Sequence, residues 1–256
     1  MGSVFKVSET EYEINTGGLM KKTKLNEVTQ VSFLPWLFPI NCYIIEEEND
    51  LTVVDIGVNQ FVQEIKVMSE HCQKPVKNLI ITHAHSDHVM GYPRFKETFP
   101  ECRTYMSERE ARFISEDFKF DESEVGFQLK GDYSKASSLH VEDFLQEGDQ
   151  IGSFSVIETP GHSVGSISLW NPQTQLMIAG DAFQTKGRLA VSGDLVKTFP
   201  FPAIATASKE VALQSAKKIL SFNPRILAVG HGEMLIDPID RMKEAISRSE
   251  CERKDK

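Results

Sequence analysis

The segment His83-Ala84-His85-Ser86-Asp87-His88 places three imidazoles and a carboxylate within six residues, directly after the compact apolar run Asn78–Ile81. Imidazole nitrogen and carboxylate oxygen are the donors that borderline divalent ions such as zinc accept, and a short loop lets side chains converge without help from helix geometry. The run before the loop has the length and composition of a buried strand. These histidines are therefore expected at a strand's end, where other segments must meet them.

Three further segments have the same build. Thr159-Pro160-Gly161-His162-Ser163-Val164-Gly165 follows a strand-like run and puts a fourth histidine in a tight turn. Ile178-Ala179-Gly180-Asp181 ends a strand on a carboxylate, and Val229-Gly230-His231-Gly232 ends another on a histidine. Each of these side chains lies beside glycine, whose missing Cβ permits sharp turns and close backbone approach.

Between these points the pattern alternates between strand and helix. Val28–Phe33, Asn41–Glu46 and Leu51–Asp55 read as an opening antiparallel meander, and Phe61, Ile65 and Met68 recur at helical spacing. Arg94–Phe99 and Ser107–Phe118 read as helices, and Lys119 to Asp143 mixes charges and aromatics without a period, as an insertion or lid would. Strands are expected near Ser153–Glu158, Ser166–Trp170, Gln175–Ala179 and Arg225–Val229, with an amphipathic helix from Ser208 to Ser221. Strands followed by helices in both halves predict two packed sheets with helices outside, not a doubly wound parallel sheet. No repeat or low-complexity tract divides the chain, so residues 20–256 are expected to form one domain. Met20 followed by Lys21 and Lys22 makes an alternative natural start, which sets residues 1–19 apart as an N-terminal segment that could be non-native.

A formal charge of −9 without a lysine or arginine cluster argues against nucleic acid and anionic membranes as partners. No stretch approaches the roughly 20 apolar residues that span a bilayer, and the polar start lacks the form of a secretory signal. Cys42, Cys72, Cys102 and Cys251 form no C-x-x-C pair and fit a reducing compartment. A cytoplasmic protein acting on a small molecule is expected.

The order H-x-H-x-D-H, P-G-H, G-D, G-H, preceded by Val53-Val54-Asp55-Ile56-Gly57 as an Asp-x-Gly strand end, resembles the metallo-β-lactamase superfamily from about Val28 to His231. The resemblance implies an α+β fold, a four-layer αββα sandwich with metals at the edge of its sheets. It implies two divalent ions, with zinc as the default and iron, manganese or cobalt as substitutes. His83, His85 and His162 would hold one ion, Asp87, His88 and His231 the other, and Asp181 would bridge them. Water between two dications is acidified toward neutrality, which supplies a nucleophile without serine or cysteine. Asp87 would also carry a proton to the leaving group, and Asp55 would orient a ligand from behind.

The β-lactamases of this superfamily carry cysteine where this chain has Asp181, so the resemblance leads toward lactonases, glyoxalase II-type thioesterases and phosphodiesterases. The tail after His231 is too short for the helical glutathione-binding domain of glyoxalase II. The layout closely resembles that of the acyl-homoserine lactonases among small stand-alone hydrolases, although their tyrosine shortly after the bridging aspartate is missing from Ala182-Phe183-Gln184-Thr185. A lactonase is therefore the expected enzyme, with thioesterase or phosphodiesterase behind it and a metal-binding regulatory protein as the alternative without turnover. In Phe33-Leu34-Pro35-Trp36-Leu37-Phe38-Pro39, Trp36 and Phe38 are placed at the substrate entrance for an apolar substituent, or else against the core or a homodimer partner.

Overall fold

The computed structural model of the chain describes residues 12–16, 18–134 and 139–254. Residues 1–11 and 17 of the N-terminal segment, and residues 135–138 within the expected insertion, lie outside the described residues. The first sheet takes its eight strands in chain order: β1 (Tyr12–Thr16), β2 (Met20–Leu25), β3 (Val28–Phe33), β4 (Ile40–Glu46), β5 (Leu51–Val54), β6 (Val76–Ile80), β7 (Arg103–Ser107) and β8 (Asp143–Leu145). Short turns keep β1 to β5 antiparallel. From β5 onward the pairs are parallel, because a parallel return needs a crossover. The crossovers are α1 (Gln60–Cys72), the pair α2 (Ser86–Val89) and α3 (Tyr92–Thr98), and α4 (Glu108–Ile114).

The second half builds β9 (Gln150–Ile151), β10 (Phe154–Glu158), β11 (Ile167–Asn171) and β12 (Leu176–Ile178), then a two-stranded ribbon of β13 (Phe183–Gln184) and β14 (Ala190–Val191). After α5 (Phe201–Ala205) and α6 (Lys209–Ser221) come β15 (Ile226–Ala228), β16 (Leu235–Ile236) and α7 (Ile239–Lys254). The second sheet has the order β16-β15-β12-β11-β10-β9, in which only β12 and β15 run parallel.

Side-chain alternation sorts the strands into layers. On β4, Ile40, Cys42 and Ile44 face α1 to α4, and Tyr43 and Ile45 face the second sheet. On β12, Leu176 and Ile178 face the first sheet, and Met177 faces α6 and α7. Two helix-on-sheet cores thus enclose one sheet-on-sheet core, which is an αββα sandwich. Each fully buried aliphatic or phenyl side chain, such as Phe61 or Ile219, contributes about 1.5–3 kcal/mol.

The strands expected at Val28–Phe33, Asn41–Glu46 and Leu51–Asp55 are present to within one residue of their bounds. The helix expected from Ser107 to Phe118 is shorter. Ser107 caps it by accepting a hydrogen bond from the Glu110 amide, and the chain turns to positive φ at Glu116. β7 precedes that cap where no strand was expected. Among the described residues from 115 to 142 there is neither helix nor strand, as the aperiodic sequence predicts.

Candidate metal centre

Two parallel strand pairs, β5–β6 in the first sheet and β12–β15 in the second, end at the same edge of the sandwich. Asp55 follows β5, the His83–His88 loop follows β6, Asp181 follows β12 and His231 follows β15. The β10–β11 turn adds His162. The seven residues singled out in the sequence therefore lie in one cluster. His83, His85 and His162 form one set, His83, His88 and Asp181 a second, and Asp87, His88 and His231 a third, with donor atoms in each set within 4.8 Å of one another. All are buried except Asp87, which is half-buried.

Asp181 is central to the cluster. Its Oδ2 lies 3.1 Å from His231 Nε2 and 3.3 Å from His162 Nε2, and its Oδ1 lies 3.5 Å from His88 Nε2. Glycine permits this crowding: a Cβ on Gly230 would stand 2.0 Å from Asp181 Oδ1, and one on Gly57 would stand 1.8 Å from the Asp87 carbonyl oxygen. The Gly57 of the Asp-x-Gly motif thus makes room for the backbone of the ligand loop.

Proton accounting assigns the imidazoles. Asp55, held at φ 59°, accepts from the Thr82 amide at 2.8 Å, the Thr82 hydroxyl at 2.8 Å and His88 Nδ1 at 2.7 Å. A carboxylate only accepts, so His88 carries its proton on Nδ1. Thr82 has given its proton to Asp55, so its oxygen, 3.1 Å from His83 Nδ1, accepts from His83 as well. His231 Nδ1 donates to the Pro39 carbonyl at 2.6 Å. Thr206 donates to the Pro202 carbonyl, which leaves Ser192 to donate to Thr206 and to accept from His162 Nδ1 at 2.9 Å. Each of these four rings therefore uses Nδ1 for its outer hydrogen bond and turns Nε2 inward, where the nitrogen is free for an ion once it carries no proton.

The interior atoms lack protein partners: His83 Nε2, His88 Nε2 and Asp181 Oδ1 are buried without a hydrogen bond. Buried polar atoms are nearly always satisfied, and three orphans facing one another fit a bound cation. Without an ion, burial and the neighbouring imidazoles hold His83 well below its ordinary pKa, and burial pushes His162 down to about 3. Burial opposes the charged form of His231 too, but Asp181 and Asp87 beside it push it up to about 10.

A family model described as the metallo-beta-lactamase superfamily matches residues 35–231. The chain belongs to that superfamily. It is similar to YobT of Bacillus subtilis (strain 168), with 39% identity over 230 residues covering 90% of this chain and 99% of that one. The probable metallo-hydrolase YflN of the same organism is 28% identical over 214 residues, covering 75% of this chain and 80% of its own. A metallo-beta-lactamase family protein from Thermus thermophilus shares the fold, with a TM-score of 0.62, 19% identity and coverage of 89% of this chain and 80% of that one. As a member of the superfamily the chain is a metal-dependent hydrolase, and its His/Asp cluster suits divalent ions. No helix among the described residues is long and apolar enough to cross a membrane.

A cleft of about 550 Å³ opens onto this superfamily centre. Phe38 lines it, packed against the rings of Phe199, Phe201 and His231 at centroid distances of 5.1, 4.8 and 5.5 Å. Trp36 is not brought there: it is 67% exposed and is not among the lining residues. Its loop is tied down instead by Lys186, which donates to the Pro35 and Trp36 carbonyls. Several supporting residues were missed in the sequence. Tyr43 donates to the Val229 carbonyl and accepts from its amide, and Asn41 donates to the Val229 and Gly232 carbonyls, so the His231 turn is held from β4. A polar Asn41 inside the otherwise apolar strand was the available signal.

Proposed function

We propose that the protein is a binuclear hydrolase of uncharged ester-like bonds carrying an apolar substituent, a lactone first among them. His83, His85 and His162 would hold one ion, Asp87, His88 and His231 the other, and Asp181 would lie between them, with zinc as the default metal. Bound divalent ions would supply electrophilic activation of the scissile carbonyl and acidify an attacking water. Asp87, half-buried at the cleft, would take the proton from that water and return it to the leaving oxygen. Asp181 would set the spacing of the two ligand sets.

The observation that carries the substrate class is the character of the cleft wall. Among the described residues, Phe38, Met90, Phe201, Pro202 and Ile204 form it, with Asp87, Asp132 and Asp181 as its acidic groups and no lysine or arginine in the lining. The carboxylates of a glutathione thioester or the anion of a phosphodiester would be desolvated there without a cationic side chain to pair with, which is costly. A neutral ring or ester with an acyl or aryl group meets matching apolar surface instead. No tyrosine follows Asp181 to polarise the carbonyl: Ala182-Phe183-Gln184-Thr185 stands there, with Phe183 fully buried and Gln184 donating to the Phe199 carbonyl.

A substrate panel tests this reading. The zinc-loaded protein should show kcat/KM at least about tenfold higher on neutral lactones and aryl esters with medium acyl chains than on glutathione thioesters or bis-aryl phosphates. A preference for either anionic class would overturn the substrate assignment and leave the hydrolase in place.

A further inference from the structure

Glu110, on α4, is fully buried, yet no lysine or arginine pairs with it among the described residues. Its partners are neutral donors: the Ala84 amide at 2.9 Å, the Gly165 amide at 2.7 Å and the Ser163 hydroxyl at 2.5 Å. Ala84 stands between His83 and His85, and Ser163 and Gly165 follow His162. One carboxylate thus spans both loops that bring the three-histidine set together. The metal chemistry proposed above does not use it.

The protons around it can be followed one at a time. Ser163 has a single hydroxyl proton, and the carboxylate can only accept it. The Ser163 oxygen, 3.4 Å from the Tyr133 hydroxyl, therefore accepts from Tyr133. The Tyr133 oxygen in turn lies 3.2 Å from His85 Nε2 and accepts from it. Independently, the Lys130 carbonyl, which cannot donate, lies 3.0 Å from the same nitrogen. His85 thus carries its proton on Nε2 and turns a bare Nδ1, 3.0 Å from His162 Nε2, into the centre.

We propose that Glu110 is a positioning residue of the metal centre: through Ser163 and Tyr133 it fixes the tautomer of His85 and polarises that ring toward the ion held with His83 and His162. The inference rests on the binuclear reading given above. It extends to His85 the control that Asp55 exerts on His83 and His88, but over three hydrogen bonds instead of one or two. Carboxylates that orient a metal-bound imidazole typically change metal affinity by about 10–100-fold when removed.

The test is a stepwise chelator titration of the zinc-loaded protein, beside thermal melts of the metal-free form. Ser163→Ala cuts the relay and leaves the Ala84 and Gly165 amides on Glu110, so its metal-free form should still melt cooperatively, lowered by the one lost hydrogen bond. One of its two ions should bind about 10–100-fold more weakly, with the other unchanged. Glu110→Gln should give the same selective loss or more, and Tyr133→Phe, which like Ser163→Ala leaves the Lys130 carbonyl in place, a loss at least as large at the same ion. If wild type binds two ions and Ser163→Ala and Tyr133→Phe hold both as tightly, Glu110 is only a structural tie and the relay is wrong. A wild type that takes up no ion overturns the binuclear reading, and the relay falls with it.

Discussion

At the scale of single residues, Asp181 bears the most, because three of the imidazoles crowd its two oxygens. Asp181→Asn keeps the shape and removes the charge, so turnover should fall by about 10²-fold or more while the melting temperature moves little. Wild-type turnover in that variant, measured on the best substrate, would remove the bridging role. Protons give a second expectation. In the metal-free protein Asp181 and Asp87 hold His231 up at about 10, and Asp55 and Asp181 likewise hold His88 above its ordinary value despite burial. At pH 8 the His231 ring is therefore protonated before metal arrives, and an ion must displace that proton to bind. Zinc affinity should rise with pH through the neutral range and level off near pH 10. Calorimetry at pH 8 in buffers of different ionisation enthalpy should register release of at least one proton per chain, and uptake without release would contradict the assigned charge states.

Elements decide what reaches the centre. Phe38, between β3 and β4, and Phe201, on α5, close one wall of the cleft, whereas Trp36 projects to solvent. Phe38→Ala should raise KM for long acyl chains by roughly 5- to 100-fold, equivalent to about 1–3 kcal/mol of lost contact, and should affect short chains less. Trp36→Ala should change neither strongly. Equal losses on short and long substrates together with a lowered melting temperature would make Phe38 a core residue instead. The sequence left both aromatics between the entrance and a core or dimer contact, because spacing cannot show which way a proline-broken loop turns its side chains. Elements were readable where burial imposes a period, as in β3 to β6 and α6. They were not readable in β2, whose Met20-Lys21-Lys22-Thr23-Lys24-Leu25 becomes a strand only through pairing with β1 and β3. β7 was hidden for a related reason: Arg103-Thr104-Tyr105-Met106-Ser107 is mostly polar, and its last residue serves also as the cap of α4.

Across the whole molecule, the seven clustered residues were legible from sequence because metal chemistry restricts residue type and because each lies at a strand end beside a turn. Their supports were not. Ser192 and Thr206 behind His162, the Pro39 carbonyl behind His231, and Glu110 behind His85 are ordinary residues or backbone atoms brought in from other elements by the sandwich. The four-layer fold makes that possible, since both sheets end their parallel pairs at one edge and a single cluster can draw on each. The central claim is that this edge holds two ions, and metal content measures it most directly. Elemental analysis after reconstitution and removal of free metal should return two ions per chain in the wild type, with one retained in His83→Ala and the other in His88→Ala. A wild type that reproducibly returns one ion or none after reconstitution would contradict it.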